Sequence, residues 1–153
     1  MTEKTCKAPG LEKFRALLKK YDLKVTPQRI AVHEAMLALG HASADMVTEY
    51  IITRGKAKVT VASVYNILSQ LTMLGIYNHR MSSNNKMYFD VNTFKHFHLY
   101  DTENNCYVDV VDDELQKVLE ERLMSKHYKG YKVDDIDVQI LCHPTTHHRK
   151  VLS

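Results

Sequence analysis

The first sixty residues alternate apolar and polar positions at helical spacing in three segments. The first segment covers residues 11–20. The second begins at Thr26, whose hydroxyl is suited to capping a helix that has Pro27 at its first position, and it runs to Gly40. The third starts at Ser43, a further capping residue. The pattern therefore predicts three short helices that share one core.

A fourth helix is predicted after Thr60, and both of its faces are informative. One face is an apolar stripe of Val61, Val64, Leu68 and Leu71, as expected for a helix packed on a core. The opposite face carries small or hydrogen-bonding side chains in place of the usual mixture of lysine and glutamate: Ala62, Ser63, Tyr65, Asn66, Ser69 and Gln70. Such a face can approach base edges and phosphates closely, although an ordinary solvated helix side remains an alternative.

Strand-like segments at 76–80 and 86–90 flank a polar turn at 82–85 and predict a β-hairpin. Several helices followed by such a hairpin is the order of elements in a winged helix-turn-helix domain. The hairpin carries Arg80 and Lys86, which we expect near its tip and suited to phosphate or minor-groove contact.

Beyond Asp90 the pattern predicts a second hairpin at 95–101 and 106–111, a helix at 114–127 and a strand at 132–142. The predicted fold class is therefore α+β, an N-terminal winged helix-turn-helix followed by a small α/β dimerisation domain. We place the first domain at 1–91, a linker at 92–94 and the second domain at 95–153. Because neither domain can bury a large core alone, we expect a homodimer.

Composition and charge agree with a DNA-binding half joined to a second module. The 153 residues carry a net charge of +3. Residues 1–80 contain twelve Lys or Arg against six Asp or Glu, whereas residues 101–142 contain five against eleven. No apolar run approaches the roughly 18 residues of a membrane span, and the N-terminus lacks the apolar core of a signal peptide. We therefore expect a cytoplasmic protein whose three cysteines are reduced thiols.

A candidate metal site lies in the second predicted hairpin. His96 and His98 are two positions apart, so on a strand both project to the same face. If residues 102–105 form a four-residue loop, His98 lies directly opposite Asp109, with β-carbons roughly 5 Å apart. Imidazoles together with a carboxylate suit Fe(II), Mn(II) or Zn(II). The same residues would also fit an exposed polar sheet face.

Several motifs spread over both predicted domains resemble the ferric uptake regulator family in order and spacing. They are LKVTPQR at 23–29, VASVYNIL at 61–68 followed by LG at 74–75, YFD at 88–90 and HFH at 96–98. The resemblance covers nearly the whole chain, from about residue 11 to 142. It implies a metal-dependent transcriptional repressor that binds double-stranded operator DNA as a homodimer, with Fe²⁺ or Mn²⁺ at its regulatory site.

The resemblance also implies roles for individual residues. The family's peroxide-sensing branch binds its regulatory ion through three histidines and two aspartates, which match His41, Asp90, His96, His98 and Asp109 here. With iron bound, peroxide would oxidise a ligand, His41 or His96 by resemblance, and release the DNA. We expect the DNA contacts to come from residues of the first domain: Arg29, Ser63, Tyr65, Asn66, Arg80 and Lys86.

One departure from the family pattern concerns structural zinc. Most members carry two Cys-x-x-Cys pairs, but Asp101 and Asn104 replace the first pair, and Cys142 with Thr145 stands in place of the second. We therefore expect no four-cysteine zinc site. The iron response regulator branch also lacks it, so a haem-responsive regulator is the alternative. That branch carries three consecutive histidines where this chain has His96-Phe97-His98, which favours peroxide or metal sensing. A metal-dependent hydrolase is less favoured, since no substrate-binding motif accompanies the His/Asp cluster.

Overall fold

A computed structural model of the chain describes residues 8–93 and 95–146. The chain divides into two compact units, one ending at residue 94 and the other beginning at residue 95. The helices and strands are, in chain order, α1 (Leu11–Lys20), α2 (Pro27–Leu39), β1 (His41–Ser43), α3 (Ala44–Thr53), α4 (Val61–Met73), β2 (Asn78–Met81), β3 (Met87–Asp90), β4 (Phe97–Asp101), β5 (Cys106–Val110), α5 (Asp113–Leu119) and β6 (Gln139–Cys142).

The four helices of the first unit begin where the sequence predicts. The Thr26 hydroxyl accepts a hydrogen bond from the Arg29 amide at 3.2 Å and caps α2. Ser43 caps α3 in the same way through the Met46 amide at 3.3 Å. Gly40 ends α2 with φ 76°, a backbone conformation that L side chains rarely adopt. Side chains from all four helices form one core, which includes Phe14, Leu18, Val32, Met36, Val47, Ile51, Val64, Leu68 and Leu71.

A three-stranded antiparallel sheet in the order β1-β3-β2 completes the first unit. Strands β2 and β3 form the predicted hairpin. The short strand β1 was not predicted, and it pairs with the other edge of β3 so that His41 lies opposite Asp90. Helices followed by this sheet form the winged helix-turn-helix fold that the sequence predicted.

A buried histidine joins the start of the described chain to the helical core. His33 on α2 is fully buried, and its ring stacks on Phe14 with centroids 3.9 Å apart. Its Nε2 lies 2.5 Å from the Pro9 carbonyl oxygen, and its Nδ1 lies 2.6 Å from the Tyr77 hydroxyl. Because a carbonyl oxygen can only accept, Nε2 donates to Pro9 and Nδ1 accepts from Tyr77 in the neutral imidazole. Burial lowers the pKa of His33 and so favours this neutral form.

The second unit contains a three-stranded sheet in the order β5-β4-β6. Strand β4 is antiparallel to β5, with Asp101 opposite Cys106 and His98 opposite Asp109, which confirms the predicted register. Strand β4 is parallel to β6. Strand β6 is shorter than the predicted strand at 132–142, because the ladder includes only residues 139–142.

Helix α5 of the second unit buries none of its residues, all of which the structure describes. Asp112 caps its start, because the Asp112 carboxylate accepts a hydrogen bond from the Leu115 amide at 2.9 Å. It continues into a π-helical turn at Glu120–Met124, which also buries no residue. Large apolar side chains are exposed along this segment at Val111, Leu115, Val118 and Met124. This surface resembles half of an interface rather than a face of a self-contained domain.

Two of the three cysteines lie within the described residues. Cys106 and Cys142 are free thiols, whereas Cys6 lies outside the described part of the chain. Within the described residues, no helix is both long enough and apolar enough to cross a membrane.

Candidate metal centre and nucleic-acid interface

Two imidazoles and one carboxylate converge in the second unit. Asp109 Oδ1 lies 3.2 Å from His96 Nε2 and 3.4 Å from His98 Nε2. The side chains of His96 and His98 are 1% and 0% exposed, whereas Asp109 retains 23%. One donor atom from each of the three residues lies within 4.8 Å of the other two. The three donors are therefore close enough to bind one ion.

Neighbouring aromatic rings fix the orientation of this group. His98 packs edge to face on Tyr107 of β5, with ring centroids 5.6 Å apart. Tyr107 in turn donates a hydrogen bond to Gln139 Oε1 on β6 at 3.2 Å. Three adjacent strands thus hold the imidazole in place. Such support is what a ligand needs if it is to be held in one geometry before an ion binds.

A second His/Asp pair lies in the first unit. His41 Nε2 on β1 is 3.2 Å from Asp90 Oδ2 on β3, as the pairing of these two strands requires. Asp90 is 1% exposed. Its other oxygen accepts a hydrogen bond from the Asn92 amide at 2.8 Å, and Arg80 approaches Oδ2 to 3.8 Å. A buried carboxylate beside an imidazole is again a donor pair suited to a divalent cation.

The chemistry of these donors fits a borderline divalent metal. Each group combines imidazole nitrogen with carboxylate oxygen, and neither contains a thiolate. Such a set suits Fe(II), Mn(II) or Zn(II) rather than the soft Cu(I), which prefers sulfur.

The candidate DNA-reading helix is α4. Thr60 and Ser63 form a reciprocal capping box, in which the Ser63 amide donates to Thr60 Oγ1 at 3.1 Å and the Thr60 amide donates to Ser63 Oγ at 3.0 Å. The structure therefore places Ser63 in a role that stabilises the helix start. Tyr65 and Asn66 are exposed on the outer face. Tyr65 is 44% exposed, and its ring lies against Phe89 of the hairpin with centroids 6.1 Å apart.

Arg29 connects α2 to α4. Its guanidinium donates to the Lys24 carbonyl oxygen at 2.6 Å and to Gln70 Oε1 at 3.2 Å. We expected Arg29 to contact DNA, and the bond to Gln70 shows that it also links α2 to α4. Sequence spacing gave no indication of the contact, because Arg29 and Gln70 are 41 positions apart.

The hairpin departs from expectation at Arg80. We expected Arg80 and Lys86 near the tip, and Lys86 is indeed exposed there. The side chain of Arg80 is only 9% exposed and faces Asp90. The strand alternation explains this placement, since Arg80 pairs with Tyr88 and so projects to the same face of the sheet as Asp90. Arg80 therefore does not present its charge at the tip.

Lys86 borders a groove of about 610 Å³ in the first unit. The outer residues of α4, the start of α3 and the hairpin line this groove, which includes Ala62, Tyr65 and Asn66. The groove is lined by one cation, Lys86, and one carboxylate, Asp45, and Lys86 is the side chain suited to contact with a phosphate.

A match to a protein-family model identifies the family of the chain. The model described as the ferric uptake regulator family matches residues 20–141, which is most of the chain and includes both units. The chain belongs to the ferric uptake regulator family. Members of this family are transcriptional regulators and not enzymes, so the hydrolase alternative is set aside.

Individual relatives agree with membership in the ferric uptake regulator family. The chain is 28% identical over 140 residues to the peroxide-responsive repressor PerR of Staphylococcus epidermidis, covering 91% of this chain and 83% of that protein. The fold is similar to the ferric uptake regulator of Vibrio cholerae, with 22% identity, a TM-score of 0.72 and coverage of 86% of this chain and 99% of that one. The fold is also similar to the ferric uptake regulator of Pseudomonas aeruginosa, which was solved with manganese. The identity is 21%, the TM-score is 0.66, and the match covers 86% of this chain and 98% of that one.

The turn at 101–104, where the family pattern predicts a Cys-x-x-Cys pair, is held by hydrogen bonds to Asp101. Asp101 Oδ1 accepts hydrogen bonds from the Glu103 amide at 2.9 Å and the Asn104 amide at 3.1 Å. Asp101 Oδ2 accepts a third from the Asn104 side chain at 2.7 Å. These bonds within the turn join the same two positions that zinc would bridge if both were cysteines.

Proposed function

We propose that the chain is a metal-dependent DNA-binding repressor that acts as a cytoplasmic homodimer. In this proposal residues 1–91 bind DNA, residues 92–94 are a linker, and residues 95–153 dimerise and take part in sensing the metal. The observation that carries the proposal is the convergence of His96 and His98 on one oxygen of Asp109.

We propose further that the His41–Asp90 pair binds the same ion as the group of His96, His98 and Asp109. Fe²⁺ or Mn²⁺ would occupy the site, because three imidazoles and two carboxylates suit either ion. A site with ligands from both units would couple metal binding to the arrangement of the DNA-binding units. That coupling is what a ligand-controlled switch requires, since a ligand shifts a conformational equilibrium only through different affinity for its two states.

The DNA contacts are assigned to the outer face of α4 and to the hairpin. Tyr65 and Asn66 are the exposed side chains at the middle of that face, and Lys86 supplies a cation beside them. Arg29, Ser63 and Arg80 complete the proposed set of DNA contacts, in addition to the bonds that Arg29 and Ser63 form with Gln70 and Thr60 and the approach of Arg80 to Asp90. In a dimer, two such helices would enter successive major-groove half-sites.

The dimer is supported by the apolar surface of the second unit. Val118 of α5 and Leu141 of β6 are 51% and 59% exposed. A second copy of the chain would remove these apolar side chains from water, and the burial of apolar surface favours association.

Two signals are proposed for the repressor. The first is peroxide, and the second is the availability of iron or manganese. The similarity of the chain to the peroxide-responsive repressor supports peroxide as a signal. Fe²⁺ reacts with peroxide far more readily than Mn²⁺, so the metal in the site would set the sensitivity to peroxide.

The test is a metal titration of DNA binding. The purified full-length protein, loaded with Mn(II), would first select a 30-bp duplex from a random library. The affinity for that duplex would then be measured by fluorescence anisotropy with Mn(II) and with chelator. We expect Mn(II) to raise the affinity by roughly 5- to 150-fold, the usual range of coupling between two sites. By reciprocity, DNA should raise the Mn(II) affinity by the same factor.

Peroxide is tested in the same assay. The Fe(II)-loaded protein should lose the duplex after brief exposure to hydrogen peroxide, whereas the Mn(II)-loaded protein should keep it. A DNA affinity that does not depend on metal would contradict the repressor proposal. Metal-dependent binding that survives peroxide with iron bound would contradict only the proposed signal.

A further inference from the structure

Arg80 of the hairpin is a charged side chain that has little contact with water. It lies on β2, and its side chain is only 9% exposed. Nη2 of its guanidinium is 3.8 Å from Oδ2 of Asp90, whose side chain is 1% exposed. A buried charge is costly unless an opposite charge lies close to it. The guanidinium therefore stabilises the Asp90 carboxylate in the metal-free protein.

The Asp90 oxygen that faces Arg80 is also the one that a metal ion would use. Oδ1 of Asp90 accepts a hydrogen bond from the Asn92 amide at 2.8 Å, whereas Oδ2 lies 3.2 Å from His41 Nε2. An ion bound by Asp90 together with His41 would therefore bind Oδ2. A divalent ion at this oxygen would repel the guanidinium, because two cations a few ångströms apart repel each other strongly where water is excluded.

The position of Arg80 in the sheet allows its side chain to leave Asp90. Strand β2 is at one edge of the order β1-β3-β2, so no further strand of this sheet covers its outer side. Arg80 is one residue before the end of β2, close to the hairpin turn. Rotation about the side-chain bonds can carry the guanidinium outward while the backbone of the strand stays in place.

We propose that Arg80 and the metal ion exchange at Asp90. In the metal-free protein Arg80 pairs with Asp90 and competes with the ion. An ion that binds Oδ2 displaces the guanidinium, which then contacts a DNA phosphate on the same side of the hairpin as the exposed Lys86. The planar fork of a guanidinium matches the geometry of a phosphate. This inference rests on the proposed function, because it requires one molecule to bind both the ion and DNA.

The exchange has two consequences for the repressor. Competition by Arg80 raises the metal concentration at which the site fills. Release of Arg80 adds a phosphate contact only when the ion is bound, so part of the coupling between metal and DNA depends on one side chain.

The first measurement is the Mn(II) affinity of Arg80→Met without DNA, determined by competition with a fluorescent chelator. Methionine keeps a long, unbranched side chain and removes the charge. Arg80→Met should bind Mn(II) more tightly than wild type by roughly 5- to 150-fold, the usual range of coupling between two sites. If Arg80 only supported the ligand Asp90, its loss would instead weaken binding by roughly 10- to 100-fold. Arg80→Lys keeps the charge and should bind Mn(II) nearly as wild type does.

The second measurement counts phosphate contacts through the effect of salt on affinity for the selected duplex. The logarithm of the affinity falls with the logarithm of the salt concentration, and each phosphate contact adds about 0.9 to the slope. With Mn(II) bound, the slope of the Arg80→Met dimer should be shallower than that of wild type by about 2, one contact for each protomer. With chelator the two slopes should agree, because Arg80 is then held at Asp90.

Lys86→Met is the matched control, since it removes the exposed cation of the same hairpin. It should bind Mn(II) as wild type does. Its slope should be shallower than that of wild type both with Mn(II) and with chelator, because Lys86 is available to DNA in either state. The pattern of the two variants thus separates a contact that depends on metal from one that does not.

Circular dichroism checks the fold of each variant. If Arg80→Met is unfolded with chelator, Mn(II) should restore the fold, because the ion supplies the missing positive charge at Asp90. A variant that stays unfolded with Mn(II) would overturn the inference. An Mn(II) affinity no tighter than that of wild type, or equal slopes with Mn(II) bound, would overturn it as well. A wild type whose DNA affinity does not depend on metal would contradict the proposed function itself.

Discussion

His98 on β4 lies directly across the strand ladder from Asp109 on β5, with Nε2 and Oδ1 3.4 Å apart. His96 reaches the same carboxylate oxygen at 3.2 Å. The convergence follows from two local properties, because residues two apart share a face and residues paired across an antiparallel ladder share it too. A slip of one residue in register would move Asp109 to the opposite face and disperse the group.

The buried imidazole of His33 gives a prediction about pH. Burial lowers the pKa of His33 below its ordinary value of 6.5. A group whose pKa is lowered by folding stabilises the protein above its unfolded pKa, and this stability is lost as pH falls towards the folded pKa. The free energy of unfolding should therefore decrease as pH falls below about 6.5.

The test compares wild type with His33→Gln, because every other ionisable group is common to the two proteins. Urea unfolding of both metal-free proteins at pH 5 and pH 7 isolates the contribution of His33. His33→Gln should be less stable at pH 7, since it loses the ring stacked on Phe14, and it should lose less stability on acidification. An identical loss in the two proteins would show that His33 does not contribute to the pH dependence.

Tyr65 should contribute directly to DNA affinity. Its ring is 44% exposed on the outer face of α4 and is supported by Phe89. Tyr65→Ala should weaken binding to the selected duplex by roughly 10-fold at fixed salt, as expected when one base contact worth about 1–3 kcal/mol is lost. The variant should remain folded, because Tyr65 is not among the residues of the buried core.

Tyr65→Phe separates the hydroxyl from the ring. If the ring packs on a thymine methyl group, Tyr65→Phe should bind nearly as well as wild type. Unchanged affinity in Tyr65→Ala would mean that α4 does not meet the DNA through this residue.

The apolar surface of α5 predicts how the dimer responds to a single charge. Val118 is 51% exposed in the protomer. If a partner covers it, Val118→Glu would bury a charge without a partner and should shift the protein from dimer to monomer at micromolar concentration. Analytical ultracentrifugation measures the shift, and Lys117→Glu at the adjacent exposed position is the control. A wild type that sediments as a stable monomer would contradict the homodimer.

The sequence predicted those parts of the fold that depend on local patterns. Thr26, Ser43 and Thr60 cap the helices that were predicted from them. The four-residue loop at 102–105 set the register that pairs His98 with Asp109. In each case the determining residues lie within a few positions of one another, so periodicity and turn length were sufficient.

The features that were missed depend on contacts between distant segments. Strand β1 has three residues, too few for a period-two pattern. It exists because β3 offers an edge 49 positions later in the chain, counted from His41 to its partner Asp90. Arg80 faces inward because Asp90 lies on the same side of the sheet. Arg29 meets Gln70 across two helices. A local sequence pattern contains no information about contacts between residues that are far apart in the chain.

A metal titration of two aspartate variants tests whether Asp109 is a ligand of the regulatory metal. Asp109→Ala removes the carboxylate on which His96 and His98 converge, whereas Asp113→Ala removes a carboxylate at the start of α5, outside the His/Asp group. Mn(II) affinity is measured by competition with a fluorescent chelator, and circular dichroism checks that both variants are folded. Asp109→Ala should bind Mn(II) more than about 10-fold more weakly than wild type, since even residues that only support ligands cost 10- to 100-fold. Asp113→Ala should stay within about 2-fold. Equal Mn(II) affinity in Asp109→Ala and wild type would contradict the assignment of this site.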